Sequence, residues 1–409
     1  MLKIGIAGPI PIRQFAHALD LSGHSGDPLP AGLGGTPVAH LVEAMLRREY
    51  QIVVFTLDPG VRSEVILNGP GIRFCIAPYR TTHRARDFFS AERSWLRQAI
   101  AREKPALLHA HWTSEFAMAA LDSGRPTLVT AHDAPWRVLR FAPDPYRFIR
   151  LLMAWKVARR TAHLSAVSSH VADHFHRYFG YRRPIPVVPN PLPEGIFQLS
   201  DCAAPRPPEA PFTVATALSG WCRLKNGPGA LRAFALVRKE LPQARLLMFG
   251  QDYAPSGPAA NWARKKRLAR GVEFAGALPN RDLLRRLRQE AQVLLHPSRE
   301  ESFGMTVAEA MALGMAVVGG HSSGAVPWLL ENGRVGVLVD VQAPARVADA
   351  LLRLARDPAG REQLGRAART SAYRFHSDAV LDQYAALYEQ ILRSPLHADA
   401  CCDFEISLQ

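Results

Sequence analysis

Cysteine is scarce in this sequence, with five residues among 409, at positions 75, 202, 222, 401 and 402. The number is odd and no C-x-x-C or zinc-like spacing occurs, which argues against a disulfide framework or a structural metal site and for a reducing, cytoplasmic compartment. Long apolar runs are also missing: no stretch approaches the roughly 18 uninterrupted residues of a spanning helix. The amino terminus, MLKIGIAGPI, has one lysine and a short apolar run that breaks at Gly8-Pro9, so it reads as a first strand and not as a secretory signal. There is no D-x-D triplet to seat a metal-bound nucleotide and no G-K-[ST] phosphate loop of an ATPase. No repeat of the solenoid or propeller kind appears. Acid is short relative to base, 36 against 50, leaving a net charge of +14 that leans towards the first half. Such a field attracts phosphorylated small molecules, anionic lipid or nucleic acid. Nucleic acid comes last, because no helix-turn-helix spacing, aromatic RNP-like strand or zinc module accompanies the charge.

Short apolar or β-branched runs alternate with helical segments at 3–8, 51–57, 72–77, 107–111, 127–131, 164–167 and 186–189, and again at 213–218, 244–249, 272–274, 293–296, 316–318 and 335–339. That alternation predicts parallel sheets with both faces covered, here two doubly wound α/β domains. The expected division is 1–193 for the first domain, a proline-rich extended linker at 194–211, and 212–372 for the second domain. A helix at 373–393 would cross back to the first domain, followed by a loose tail at 394–409. Two open sheets joined by a linker are expected to face each other across a cleft, the usual ligand site of this architecture.

The richest segment is HPSREESFGMTVAEAMALGMAVVGG, at 296–320. A strand ends at His296-Pro297, a loop carries Glu300 and Glu301, and a helix begins near Thr306 with Glu309 inside it. Bare backbone amides of Gly304, Met305 and Thr306 at a helix start would favour a diphosphate or a polarised hydroxyl. Glu301 and Glu309 could accept hydrogen bonds from neutral hydroxyls. Alone, the E-x7-E spacing reads as well as one carboxylate complementing a helix dipole and another in water.

The surrounding pattern changes that reading. From Pro297-Ser298 through Glu301-Ser302-Phe303-Gly304 to Glu309-Ala310 and Gly314, then Ser323-Gly324-Ala325-Val326-Pro327, the chain resembles the retaining GT-B glycosyltransferases of family 4. Ser302 stands where the pattern has glycine, and Trp328 where it has glutamate. VVPNPLPEGIF, ALSGWCRLKN and EFAGALPNRDLLRRL extend the likeness along most of the chain. The resemblance implies two Rossmann-like domains, the first for the acceptor and the second for a nucleoside-diphosphate sugar, which is a donor substrate, with neither cofactor nor metal. It implies that Glu301 touches the donor sugar, Glu309 grips the ribose, and Phe303, Gly304, Met305 and Thr306 complete the donor site. The family's diphosphate cations would be replaced by Arg223 and Lys225, since Trp221 follows Gly220 here.

In the first half, PAGLGGTP precedes a helix beginning near Pro37, and glycines there let amides approach a phosphate without Cβ interference. By resemblance, Gly34 and Gly35 face the donor diphosphate. His109, His111 and His132 stand at strand ends. A zinc site would need ligands the sequence does not supply, and His132-Asp133 matches the family's strand end beside the transferred sugar. Two stretches, around 82–104 and 132–160, mix arginine with aromatics, which suits either helices covering a sheet or contact with an anionic membrane on its inner face.

The expected activity is sugar transfer from a nucleoside-diphosphate sugar to a saccharide or lipid-linked acceptor, with retention, in polysaccharide or glycolipid synthesis. Both a double displacement and a front-face route remain open. The competing readings are a sugar-nucleotide epimerase, a phosphorolytic enzyme, or a non-catalytic basic binding protein.

Overall fold

A computed structural model describes residues 2–22, 28–201 and 210–393. The expected tail, 394–409, and residues 202–209 of the expected linker lie outside the described residues. The chain divides into two compact units, Met1–Pro191 together with the segment from Ser377, and Leu192–His376.

The first unit runs β1 (Lys3–Ala7), α1 (Thr36–Arg47), β2 (Gln51–Asp58), β3 (Val65–Gly69), β4 (Ile72–Pro78), α2 (Ser90–Glu103), β5 (Leu107–His111), α3 (Glu115–Asp122), β6 (Thr127–Ala131), α4 (Pro135–Phe141), α5 (Pro145–Arg160), β7 (His163–Ala166) and α6 (Ser169–Phe179). Its sheet has the order β3-β4-β2-β1-β5-β6-β7. The strands pair in parallel except β3, which lies antiparallel on β4. β3 has no counterpart in the expected strands. Its turn is Pro70-Gly71, with Gly71 at φ 75°, and the surrounding Asn-Gly-Pro-Gly is the hairpin signal that explains it. The run at 186–189 is likewise corrected. Prolines at 184, 186 and 189 lack N–H donors, so only one bridge, Ala166 to Val187, forms there.

The second unit runs α7 (Glu194–Asp201), β8 (Thr213–Ala217), α8 (Gly227–Glu240), β9 (Arg245–Phe249), α9 (Pro258–Lys265), β10 (Val272–Gly276), α10 (Asn280–Glu290), β11 (Val293–His296), α11 (Met305–Ala312), β12 (Ala316–Gly320), α12 (Val326–Leu329), β13 (Val337–Val339), α13 (Pro344–Arg356) and α14 (Pro358–Ala372). Its all-parallel sheet has the order β10-β9-β8-β11-β12-β13. The winding direction reverses between β8 and β11, so the loops after these strands flank a switch point, where such sheets present ligand sites. The extended linker expected from residue 194 is corrected by α7. Its Ile196 and Phe197 are buried, and Phe197 stacks on Tyr373 at 4.7 Å, so an apolar pair with a surface to cover overrides a proline-rich neighbourhood.

The last helix, α15 (Ser377–Leu392), belongs to the first unit. Val380, Leu381, Tyr384, Tyr388 and Ile391 repeat at helical spacing and join the core built from Ile4, Ile6, Val38, Val42 and Val54. Each such buried side chain contributes roughly 1.5–3 kcal/mol as an upper estimate. Arg47 of α1 fixes the helix start by donating to Ser377 Oγ at 2.9 Å and to Asp378 at 3.0 Å.

Candidate functional site

At the switch point of the second unit, Lys225 Nζ donates to Glu301 Oε1 at 2.6 Å. His296, the last residue of β11, places Nε2 3.2 Å from the same oxygen. The ion pair is largely enclosed, with 16% and 14% of the two side chains exposed. Burial pushes the Glu301 carboxyl up, but the His296 hydrogen bond and the Lys225 charge outweigh it and hold the group at about 2. Lys225 is set in place by its neighbour Asn226. That residue caps α8 with φ 53° and donates Nδ2 to the carbonyls of Pro297, at 3.1 Å, and Val341, at 2.8 Å. The loop after β8 is thereby tied to the loop after β11.

Glu309 sits on α11, buried, and accepts a 3.1 Å hydrogen bond from Asn280 Nδ2 at the start of α10. Burial raises its carboxyl above the ordinary value, opposed only by that bond. Between the two carboxylates the chain turns at Gly304, which caps α11 with φ 100°. A Cβ at that φ would be strained and would press on Leu329 at 3.1 Å, so glycine is required. The amides of Gly304, Met305 and Thr306 donate no hydrogen bond to the described residues, as the first turn of a helix dictates. Phe303 is buried against Phe375, at 5.6 Å, and anchors the turn without offering a polar contact.

Arg223 is exposed and lines a cavity of about 350 Å³ with Trp221, Asn226, Arg232, Trp262 and Arg299. On the same loop Lys225 meets an enclosed carboxylate beside the Asn226 cap, while Arg223, two residues earlier, is exposed.

In the first unit, His132 lies just past the end of β6, buried. Its ring stacks on Trp112 at 4.1 Å and its Nε2 is 3.0 Å from His111 Nδ1. Burial drives His132 down to about 3, and His109 and His111 well below the usual imidazole range, so all three are neutral at physiological pH. His109 bridges Tyr388 of α15, at 2.8 Å, and Thr130, at 2.7 Å. Asp133, beside the stack, is raised by burial, against the Arg150 charge and a hydrogen bond from Trp112. Gly35 caps α1 with φ 88°, and a Cβ there would meet the Pro9 carbonyl at 2.0 Å. Gly34 has open space around it. Among the described residues no group of three or more His, Cys, Asp or Glu is arranged to hold a metal. Sequence reading missed His296 and Asn280. His296 was visible as a strand end, whereas nothing local marks Asn280 as a partner of a residue 29 positions away.

Two family profiles match the chain, "Glycosyltransferase Family 4" over residues 34–194 and "Glycosyl transferases group 1" over residues 222–371. Among curated proteins, D-inositol 3-phosphate glycosyltransferase of Segniliparus rotundus is 29% identical over 73% of this chain and 69% of its own length. N-acetyl-alpha-D-glucosaminyl L-malate synthase of Bacillus anthracis is 24% identical over 73% of this chain and 78% of its own. Among solved structures, sucrose-phosphate synthase from Thermosynechococcus elongatus superposes with a TM-score of 0.75 at 18% identity, covering 96% of this chain and 99% of that one. Anabaena HepE in complex with UDP gives 0.67 at 16% identity, with 95% and 100% covered. The fold is that of the GT-B glycosyltransferases. The chain belongs to the family 4 glycosyltransferases, whose two domains those profiles together describe.

Removing one member of an enclosed ion pair strands the other. Lys225→Met is expected to lower stability in urea by about 2–4 kcal/mol, a little under a fully buried pair because each end keeps some exposure. The double variant Lys225→Met/Glu301→Gln should recover most of that loss; a single variant as stable as the parent would show that Glu301 is solvated. Glu309 has the opposite sign. Its raised native value means that its ionised form costs stability above that value, and that the cost fades as pH falls towards the unfolded value of about 4.3. Glu309→Gln should therefore be more stable than the parent at pH 8 and lose its advantage by about pH 4, measured by denaturation across pH; a constant difference would refute the assignment.

Proposed function

We propose that this glycosyltransferase moves a hexose or related sugar from a nucleoside-diphosphate sugar to an acceptor hydroxyl with retention, in polysaccharide or glycolipid assembly. The observation that carries the reading is the bare-amide start of α11 standing between two enclosed carboxylates of opposite electrostatic setting, one of them paired with Lys225. The amides of residues 304–306 and Lys225 take up the charge that gathers on the departing diphosphate, the largest charge change of the reaction. Glu309, oriented by Asn280, accepts the ribose hydroxyls, and Glu301 accepts hydroxyls of the donor sugar. The first unit carries the acceptor, and neutral His132 with Gly34 and Gly35 are its candidate ligand-facing residues.

In the transfer, the bond from the anomeric carbon to the diphosphate oxygen breaks and a bond to the acceptor oxygen forms. Because Glu301 is engaged by Lys225 and His296, we favour the front-face route, in which the leaving phosphate oxygen receives the acceptor's proton. Cationic side chains and helix amides supply the charge stabilisation on this reading, without a resident metal. The UDP held by HepE makes uridine nucleotides the first donors to try.

Contact with anionic lipid is part of this reading. α4 buries none of its residues, and Trp136, Phe148 and Trp155 are 45%, 48% and 44% exposed beside exposed Arg140, Lys156 and Arg159. Such a mixture suits a headgroup layer. The other basic and aromatic stretch divides differently, since Phe89 is wholly buried in the core. Among the described residues no helix is long and apolar enough to cross a membrane.

Incubation with a panel of UDP- and GDP-sugars and saccharide or lipid-linked acceptors should release the nucleoside diphosphate and give a product whose anomeric configuration by NMR matches the donor's. Glu309→Gln should lower the rate about tenfold to a hundredfold, the worth of a hydrogen bond to a charged group. Epimerisation without acceptor, or a requirement for inorganic phosphate, would overturn the reading. Co-sedimentation with phosphatidylglycerol vesicles should be strong at low salt, weaken as salt rises, and fall in Trp136→Ala/Trp155→Ala; no binding at low salt would refute membrane contact.

A further inference from the structure

The cavity at Trp221 and Arg223 has a composition that the donor site does not explain. Arg223, Arg232 and Arg299 line it, and no carboxylate stands among the lining residues. None of the three guanidinium groups is ion-paired among the described residues. Arg299 Nε is buried without a partner, and the group's one side-chain bond is a long 3.4 Å contact to Asn226 Oδ1. A buried donor left unsatisfied costs about 1–3 kcal/mol, and converging cations add repulsion. An anion in the cavity would offset both. The rest of the wall is aromatic: Trp221 and Trp262 lie 5.5 Å apart and Arg232 stacks over Trp262 at 5.4 Å. Indole faces beside a cluster of guanidinium groups suit a ligand with a ring next to its charge. At about 350 Å³ the space lies at the small end of small-molecule sites, which run from roughly 300 to 1,000 Å³.

Asn226 and Arg299 share the loops that carry Lys225 and Glu301, and topology separates the opposite wall of this cavity, formed by Arg232 and Trp262, from Glu309. The chain steps one way from β8 to β9 to β10 and the other way from β10 through β11 to β12. With right-handed crossovers, α8 and α9 cover one face of the sheet, and α10 and α11 the other. Arg232 is on α8 and Trp262 on α9, whereas Asn280 and Glu309 are on α10 and α11.

We propose that this cavity is a second anion site, distinct from the seat of the donor's diphosphate, that binds a small phosphate ester with its phosphate among Arg223, Arg232 and Arg299 and its ring on the two indoles. Phosphate esters reach such a pocket from two sources, the donor nucleotide itself or a separate metabolite, and the proposal is for the second.

Calorimetric titration of the full chain with phenyl phosphate, with and without saturating UDP, separates them. Phenyl phosphate should bind equally well in both conditions. Arg232→Glu, an exposed change on α8 whose folding is checked by thermal melting, should weaken it about tenfold or more while leaving UDP affinity unchanged. Lys225→Met should do the reverse. Displacement of phenyl phosphate by UDP, insensitivity to Arg232→Glu, or no binding at millimolar concentration would each overturn the proposal. Failure of UDP to bind while phenyl phosphate does would count against the donor reading and leave this site standing.

Discussion

A lysine held against an enclosed carboxylate is the constraint on which the second unit's ligand-facing edge depends. Lys225 and Glu301 lie 76 residues apart in sequence, and Asn226, next to Lys225, pins its loop to the Pro297 carbonyl in the loop after β11 and to the Val341 carbonyl after β13. Neither charge could stay enclosed alone, since each would shed its charge or open the loop to water. The pair therefore fixes the separation of the loops after β8 and β11, and with it the turn that leads to the open amides of α11.

The two carboxylates near that turn are chemically unlike. Glu301 is kept strongly acidic by a cation and an imidazole, while Glu309 has one neutral amide partner and stays a better proton acceptor. The first unit follows another principle at its strand ends. His111 and His132 there, with His109 inside β5, are buried, neutral and bonded to each other or to hydroxyls, so that edge offers oriented dipoles in place of charge.

Most strands were legible because parallel strands buried on both faces are written as unbroken apolar runs, as in Gln51–Asp58. β3 escaped because an edge hairpin shows half that signal, and α7 because prolines around it masked the pair Ile196 and Phe197. Within the site, Glu301, Glu309 and the glycine turn at 304 were readable because their spacing lies on one strand-loop-helix unit. The contacts of Asn280 and His296 with the two carboxylates depend on which loops meet in space. No local spacing encodes that meeting.

The return of α15 to the first unit has a consequence for biogenesis. On the ribosome, the sheet of residues 3–166 emerges early, yet the surface that Tyr384 and Tyr388 cover stays bare until the second unit has been synthesised. The amino-terminal half must then wait, partly unsealed, for the last helix to be released, which makes it the late-maturing half although it is translated first.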